Sequence, residues 1–240
     1  MSIRHHGLAV LARFMQRSFA LACVTLLVMT SSTKASTVLQ FSQVLASDSV
    51  TATESNGVTT LSTAGNTDGA GLSIPLVVGN FNGIPFSPLI PVFETFVGVT
   101  STGVATTSNG TVTQTFSGTI EYTSAPGGLG GNFLTAKFTN AIFQGSGNSA
   151  SLTATAPNVT FTSSMAAFGP DTGMALGFTG ITPTVGTTGN SVASFTAQNA
   201  GTFSATIVPE PSALCLASFA AVIGTLAAYG KKRMKNEPAN

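Results

Sequence analysis

Between Ser36 and Ile207 the only ionisable side chains, one tyrosine aside, are Asp48, Glu54, Asp68, Glu94, Glu121, Asp171 and Lys137. One lysine against six carboxylates gives this stretch a formal charge of −5, and it contains no His, Cys, Arg or Trp. Those absences exclude whole classes of chemistry. A serine or cysteine nucleophile has no histidine to take its proton, and no His/Cys zinc site can be assembled. A nucleic-acid binder needs a Lys/Arg footprint to displace counterions, and none is present. Two chemistries survive. Two of the six carboxylates could pair for glycoside hydrolysis, with Glu94 or Glu121 the residues to replace in a test, although the sequence itself gives no pairing. Oxygen-rich turns at Asn66-Thr67-Asp68-Gly69 and Asp171-Thr172-Gly173 would suit calcium, but both lack the further acids of a full loop. Solvated acids on turns and strand edges are the commoner reading of such residues, so no metal, cofactor or catalytic residue is assigned.

The elements that must position these groups read as β-strands. Residues 36–207 number 172 and include 32 Thr, 20 Ser and 23 Gly. Such bias can signal disorder, but the 14 Phe in the same window oppose it, because disordered segments are poor in aromatics. In Thr111–Ser124, Val112, Phe116, Ile120 and Tyr122 fall on one face, while Thr111, Thr113, Thr115, Ser117, Thr119 and Glu121 fall on the other. Period two over a dozen residues predicts a half-buried strand. Phe203, Ala205 and Ile207 repeat the pattern. From Ser151 to Ser164 the phase slips at Pro157-Asn158, from Leu152 and Ala154 to Val159 and Phe161, which predicts a bulge or edge kink. Phe133, Phe138 and Phe143 lie on mixed faces, as in a central strand covered on both sides.

Further strands are expected over 37–45, 57–62, 72–78, 92–100, 174–179 and 191–197. Asn56-Gly57, Asp68-Gly69, Asn109-Gly110, Pro126-Gly127-Gly128 and Gly189-Asn190 mark turns between strands. The segment from Ile74 to Val92, with Pro75, Pro85, Pro88 and Pro91, reads as an apolar crossover between sheets. About ten short strands at this spacing predict an all-β domain, a β-sandwich or jelly roll. A β-solenoid would need a fixed repeat, and none is visible.

The two ends differ from the middle. Residues 1–18 carry Arg4, Arg13 and Arg17 and no acid. An 11-residue run, Phe19–Met29, follows that is apolar except for Thr25, and small residues then lead to Ala35. This is the layout of a secretory signal peptide, spanning 1–35 with cleavage after Ala35. The apolar run is too short to span a bilayer, which takes about 20 residues. At the other end Val208-Pro209-Glu210-Pro211 precedes 19 uncharged residues, Ser212–Gly230, and then Lys231, Lys232, Arg233 and Lys235. As a helix those 19 residues cover about 28 Å, enough to cross a membrane. The basic cluster belongs on the cytoplasmic side. Cys23 and Cys215 both lie in these end segments, so no disulfide supports the middle.

This C-terminal arrangement, residues 208–235, resembles the PEP-CTERM sorting tail of Gram-negative bacteria, a tail also labelled as the C-terminal domain of an ice-binding protein. The resemblance implies recognition of Pro209, Glu210 and Pro211 by exosortase after export through the Sec machinery. The tail is then removed, and the protein passes from a transient membrane anchor to the cell surface or exopolysaccharide matrix. The expected function is that of an exported, non-catalytic surface or matrix protein with exosortase, and possible exopolysaccharide, as partners and no nucleic acid. Two alternatives stand beside it. Alternating Thr on a flat sheet face would make a regular methyl and hydroxyl array able to bind polysaccharide or ice, although Thr is also simply a good strand former. A secreted carboxylate-dependent glycoside hydrolase would depend on Glu94 or Glu121.

Overall fold

The computed structural model describes residues 35–43, 48–64, 73–82, 84–85 and 91–207. The expected signal segment before Ala35, the turn at Asp68-Gly69 and the whole sorting tail with its span lie outside the described residues. Every element described is a β-strand. The first half of the domain supplies β1 (Ser36–Gln43), β2 (Ser49–Ser55), β3 (Val58–Ala64), β4 (Ile74–Phe81), the short β5 (Ile84–Pro85) and β6 (Pro91–Ser101). Then come β7 (Thr106–Ser108), the long β8 (Thr111–Ala125) and β9 (Leu129–Ser146), β10 (Ser149–Thr155) and β11 (Val159–Thr162). The last are β12 (Phe168–Thr182), the small hairpin β13 (Thr187–Thr188) and β14 (Ser191–Val192), and β15 (Phe195–Ile207).

All ladders between these strands are antiparallel, and they close on themselves. β1 pairs with β4, β4 with β6, β6 with β8, and β8 with β9. β9 pairs with β10, β10 with β12, β12 with β15, and β15 again with β1. The β2–β3 hairpin fills the same position in the wall at a different level. β15 pairs with β1 through Ala200–Ala205 but with β2 through Phe195–Ala197. β6 pairs with β4 through Pro91–Glu94 but with β3 at Val99 and Thr100. The turns follow from local chemistry. Asn56-Gly57 joins Ser55 to Val58 with both central φ angles positive, at 53° and 80°, and Asn109-Gly110 does the same at 50° and 76°. Those are the values of the type I′ turn, whose twist matches that of the flanking strands.

Aromatic rings fill the interior. Tyr122 of β8 meets Phe41 of β1 at 5.1 Å and Phe203 of β15 at 5.2 Å between centroids. Phe203 also meets Phe161 of β11 at 5.5 Å, and Phe143 of β9 meets Phe195 of β15 at 6.0 Å. Each such ring removes apolar surface worth about 1.5–3 kcal/mol when fully buried. With no cysteine between Ala35 and Ile207, this burial is what holds the domain together.

Several expectations change on contact with the structure. The segment from Ile74 is not a crossover: Ile74–Phe81 is a full strand between β1 and β6, and Pro75 and Pro91 both sit in the β4–β6 ladder. β9 is not covered on both sides. A bulge at Thr139-Asn140, with Asn140 at φ 54°, brings Phe138 and Phe143 to the same inner face and leaves Ile142 and Lys137 exposed. Residues 191–197 are split between β14 and the start of a strand that runs unbroken to Ile207. β2 is not marked by alternation, because it offers only Val50 and Ala52 as buried apolar residues. The break at Pro157-Asn158 is where the sequence places it, between β10 and β11, with Leu152, Ala154, Val159 and Phe161 all buried.

β6 bulges at Gly98, φ 58°, so that Val99 follows Phe96 onto the inner face. The bulged backbone presses against Gly118 of β8. A Cβ at Gly118 would lie 2.6 Å from Val99 Cα and 2.9 Å from Val99 N. Backbone cannot swing aside as a flexible side chain can. Gly118→Ala is therefore expected to destabilise the domain by about 1–3 kcal/mol through overpacking added to the strain of its φ of 158°. Gly147→Ala, in a turn with open space around it, tests φ alone, and chemical denaturation of the two variants checks which constraint is larger.

Candidate functional site

Polar side chains inside the wall concentrate where the ladders break. At Asn199, β15 has left β2 and not yet reached β1, so its amide has no strand to donate to on that side. The side chain of Gln43 supplies the acceptor instead, with Asn199 N donating to Gln43 Oε1 at 3.1 Å. Gln43 Nε2 in turn donates to the carbonyl of Asp48, tying the end of β1 to the approach of β2. The facing strand has the same gap. β6 lies between its β4 and β3 pairings at Phe96, whose N–H donates to Thr63 Oγ1 at 3.2 Å.

Between these two gaps stands a carboxylate. Glu94 of β6 is fully buried. Its Oε1 accepts a 2.6 Å hydrogen bond from the Tyr122 hydroxyl, and its Oε2 accepts one of 2.6 Å from Asn199 Nδ2. Burial pushes the Glu94 carboxyl up from 4.5 to about 7, against the lowering effect of the bonds from Tyr122 and Asn199. Burial also holds the Tyr122 phenol well above its ordinary value, helped by the Glu94 charge and by the bond donated to it. Asn199 Oδ1 is buried with no partner in the structure. The sequence does carry a signal for this cluster. Glu94 is in phase with Val92 and Phe96, Tyr122 with Ile120, and Asn199 with Phe195, Ala197 and Phe203.

The other candidates are not assembled into a site. Glu94 pairs with Tyr122 across β6 and β8, which places Glu121 on the outer face of the sheet. The two glutamates therefore do not flank one cleft. Asp171 and Gly173 lie within β12, not in a tight turn, and Thr172 between them donates to the carbonyl of Val159. The tight turn considered for calcium at 171–173 is therefore strand. The turn at Asn66–Asp68 lies outside the described residues. Among the described residues no three His, Cys, Asp or Glu side chains are grouped to hold a metal ion, and no helix is long and apolar enough to cross a membrane.

The second polar network closes one end of the sheet. The β13–β14 hairpin inserts Ser191 and Val192, both fully buried. Gln114 of β8 reads both sides of it: Oε1 accepts from Val192 N at 2.9 Å, and Nε2 donates to Gly103 O at 2.6 Å. Thr59 Oγ1 donates to Val192 O at 2.6 Å, and Ser191 Oγ donates to Gly57 O. Ala105 N donates to Asn190 O at 2.8 Å.

The outer face does not present the expected threonine array on β8, where the row is half-buried. The exposed hydroxyls and small side chains run across β10, β12, β15 and β1. One register row is Thr153, Ala175, Thr202 and Gln40, and the next is Ser151, Gly177, Ala200 and Ser42. Neighbouring strands stand about 4.8 Å apart, and these two rows carry no charge.

The chain matches no protein-family model, no curated protein and no solved structure.

Replacing Gln114 with Ala would orphan the buried Val192 amide and the Gly103 carbonyl. A loss of about 1–3 kcal/mol is expected for an unsatisfied buried group, together with faster proteolysis between residues 184 and 194. Denaturation midpoints and limited proteolysis of the Gln114→Ala chain measure both effects.

Proposed function

We propose that this chain is an exported, non-catalytic protein of the cell surface or exopolysaccharide matrix, sorted by a PEP-CTERM-type tail at Pro209-Glu210-Pro211. The observation that carries the reading is the pairing of the first strand with the last. Ser36 lies opposite Ala205 in an antiparallel ladder. The residue that follows the expected cleavage at Ala35 and the residue that precedes the expected neck at Val208 therefore leave the sheet at the same end. With the signal removed after Ala35, a membrane neck continuing from Ile207 holds the domain by that end only. The end closed by the β13–β14 hairpin, near the start of β15, then faces outward with the sheet faces free. We read the sheet as β-sandwich-like, since rings from β1 and β15 meet rings from β8, β9 and β11 across one core. Glu94 fits a structural role in this reading, because its carboxylate is committed to Tyr122 and Asn199.

The sorting claim is tested by changing Pro209, Glu210 and Pro211 together to alanine. The altered chain is expected to keep its tail and accumulate in the membrane fraction, while the native chain loses the tail and reaches the surface. Unchanged maturation and delivery would remove the reading.

One observation favours a second role, binding to polysaccharide. The uncharged rows through Thr153, Ala175, Thr202 and Ser151, Gly177, Ala200 form a surface of small side chains at regular spacing. Hydroxyls there can meet the hydroxyls of a neutral glycan without desolvating a charge. Thr202 is exposed at the centre of the rows, so Thr202→Lys is expected to leave stability within about 0.5 kcal/mol while reducing retention on matrix polysaccharide. Equal retention of the two chains on a polysaccharide column excludes this face.

A further inference from the structure

We propose that Glu94, Tyr122 and Asn199 form a proton-operated latch across the break in the wall, closed when the Glu94 carboxyl is neutral and slackened when it is ionised. The geometry comes first. Asn199 and Phe96 mark the two places where β15 and β6 change neighbours, and their amides are held by the side chains of Gln43 and Thr63, not by a strand. A side-chain acceptor is freer to leave than a ladder. Glu94 ties β6 to β15 directly through Asn199 Nδ2, and is itself held by Tyr122 of β8, its neighbour in the β6–β8 ladder. At this level the direct side-chain link from β6 to β15 runs through that one carboxyl group, beside the amides held by Gln43 and Thr63.

The neutral carboxyl fits this place better than the charged one. The groups that face it are the Tyr122 hydroxyl from β8 and the Asn199 amide from β15, with Gln43 of β1 joined to Asn199 and buried Asp48 joined to Gln43. None of these is a cation. Lys137, the one described cation, is exposed on β9. A buried carboxylate without a countercharge is costly. The orphaned Oδ1 of Asn199 shows what the proton would gain. When the Asn199 amide turns over, Oδ1 accepts a hydrogen bond from protonated Glu94 in exchange for the bond that Nδ2 donates to the ionised form, while Tyr122 continues to donate to the other carboxyl oxygen.

The direction follows from linkage. In the opened seam the carboxyl meets water and titrates near its ordinary 4.5, and in the closed seam it titrates near 7. The closed form holds the proton more tightly, so acid favours closure. The latch is fully fastened below about 4.5, weakens as the pH rises from there to about 7, and stays at its weakened level above that. This inference does not depend on the sorting reading, because it concerns only the interior of residues 36–207.

Amide hydrogen exchange on the full chain tests it. The amides of Asn199 and Phe96 report the seam, and those of Leu152 and Leu176, in strands paired on both sides, report the rest of the wall. After correction for intrinsic rates, seam protection is expected to fall by about a hundredfold between pH 4.5 and 8, as a pKa difference of this size dictates, and to lie below the protection of the control amides throughout. E94Q, which offers Asn199 a neutral amide, is expected to abolish the pH dependence. Equal protection at seam and control amides at every pH would mean global unfolding alone and would overturn the latch. A pH dependence that survives in E94Q would overturn it as well. Should that variant not fold, carbon NMR titration of the Glu94 carboxyl in the unaltered chain decides. A midpoint near 7 that tracks the seam amides supports the latch, and a midpoint near 4.5 sinks it.

Discussion

A backbone amide inside a closed sheet must find an acceptor, and at several points in this wall, two of them beside Glu94, a side chain provides it where no strand does. β15 and β6 each serve two different neighbours along their length. The changeover leaves Asn199 and Phe96 with donors that point at a gap. Buried N–H groups are almost never left unpaired, because the loss costs as much as a hydrogen bond. Gln43 and Thr63 fill the gaps, and their presence draws polar groups into an interior otherwise lined by Phe, Leu and Val. Glu94 and Tyr122 belong to the same solution. The buried carboxyl joins the two strands at the level where hydrogen-bonded pairing between them and their neighbours is interrupted.

Closure also explains how so weakly charged a chain can consist of strands. Only 7% of the residues are charged, and Thr-rich strands with little charge are prone to pair edge to edge. Most sheets blunt their edges with lysine or proline. Here the ladder returns to its start, and long edges are absent among the described strands. What remains open is short: β7 is three residues long and fully exposed. The end of the wall that would otherwise admit water is filled by Ser191 and Val192 from outside the main sheet, fixed by Gln114 and Thr59.

The all-β character was legible because period-two alternation survives wherever a strand is straight, as in β8 from Val112 to Tyr122. It failed where bulges reset the phase. In β9 the two residues at Thr139-Asn140 move Phe143 to the face of Phe138, and no simple alternation rule anticipates a φ of 54° at Asn140. β2 was invisible because small buried residues, such as Ala52, look no different from exposed ones in composition. Closure itself could not be read, since the pairing of β1 with β15 joins residues that are far apart in sequence and carry no mutual mark. Glu94 was visible as a carboxylate but was read with the solvated acids, although its phase with Val92 and Phe96 marks it as inward-facing. Its partners could not be named until the strands were in register.

The meeting of β1 with β15 has a consequence for how the domain comes into being. One segment, the thirteen residues of β15, contacts β1, β2 and β12. A nascent polypeptide that ends before Phe195 is a ribbon with two raw margins, each presenting unpaired backbone. No amount of local hairpin formation can seal it, because the missing piece belongs to both margins at once. The wall therefore closes only when the last of the described strands is in place.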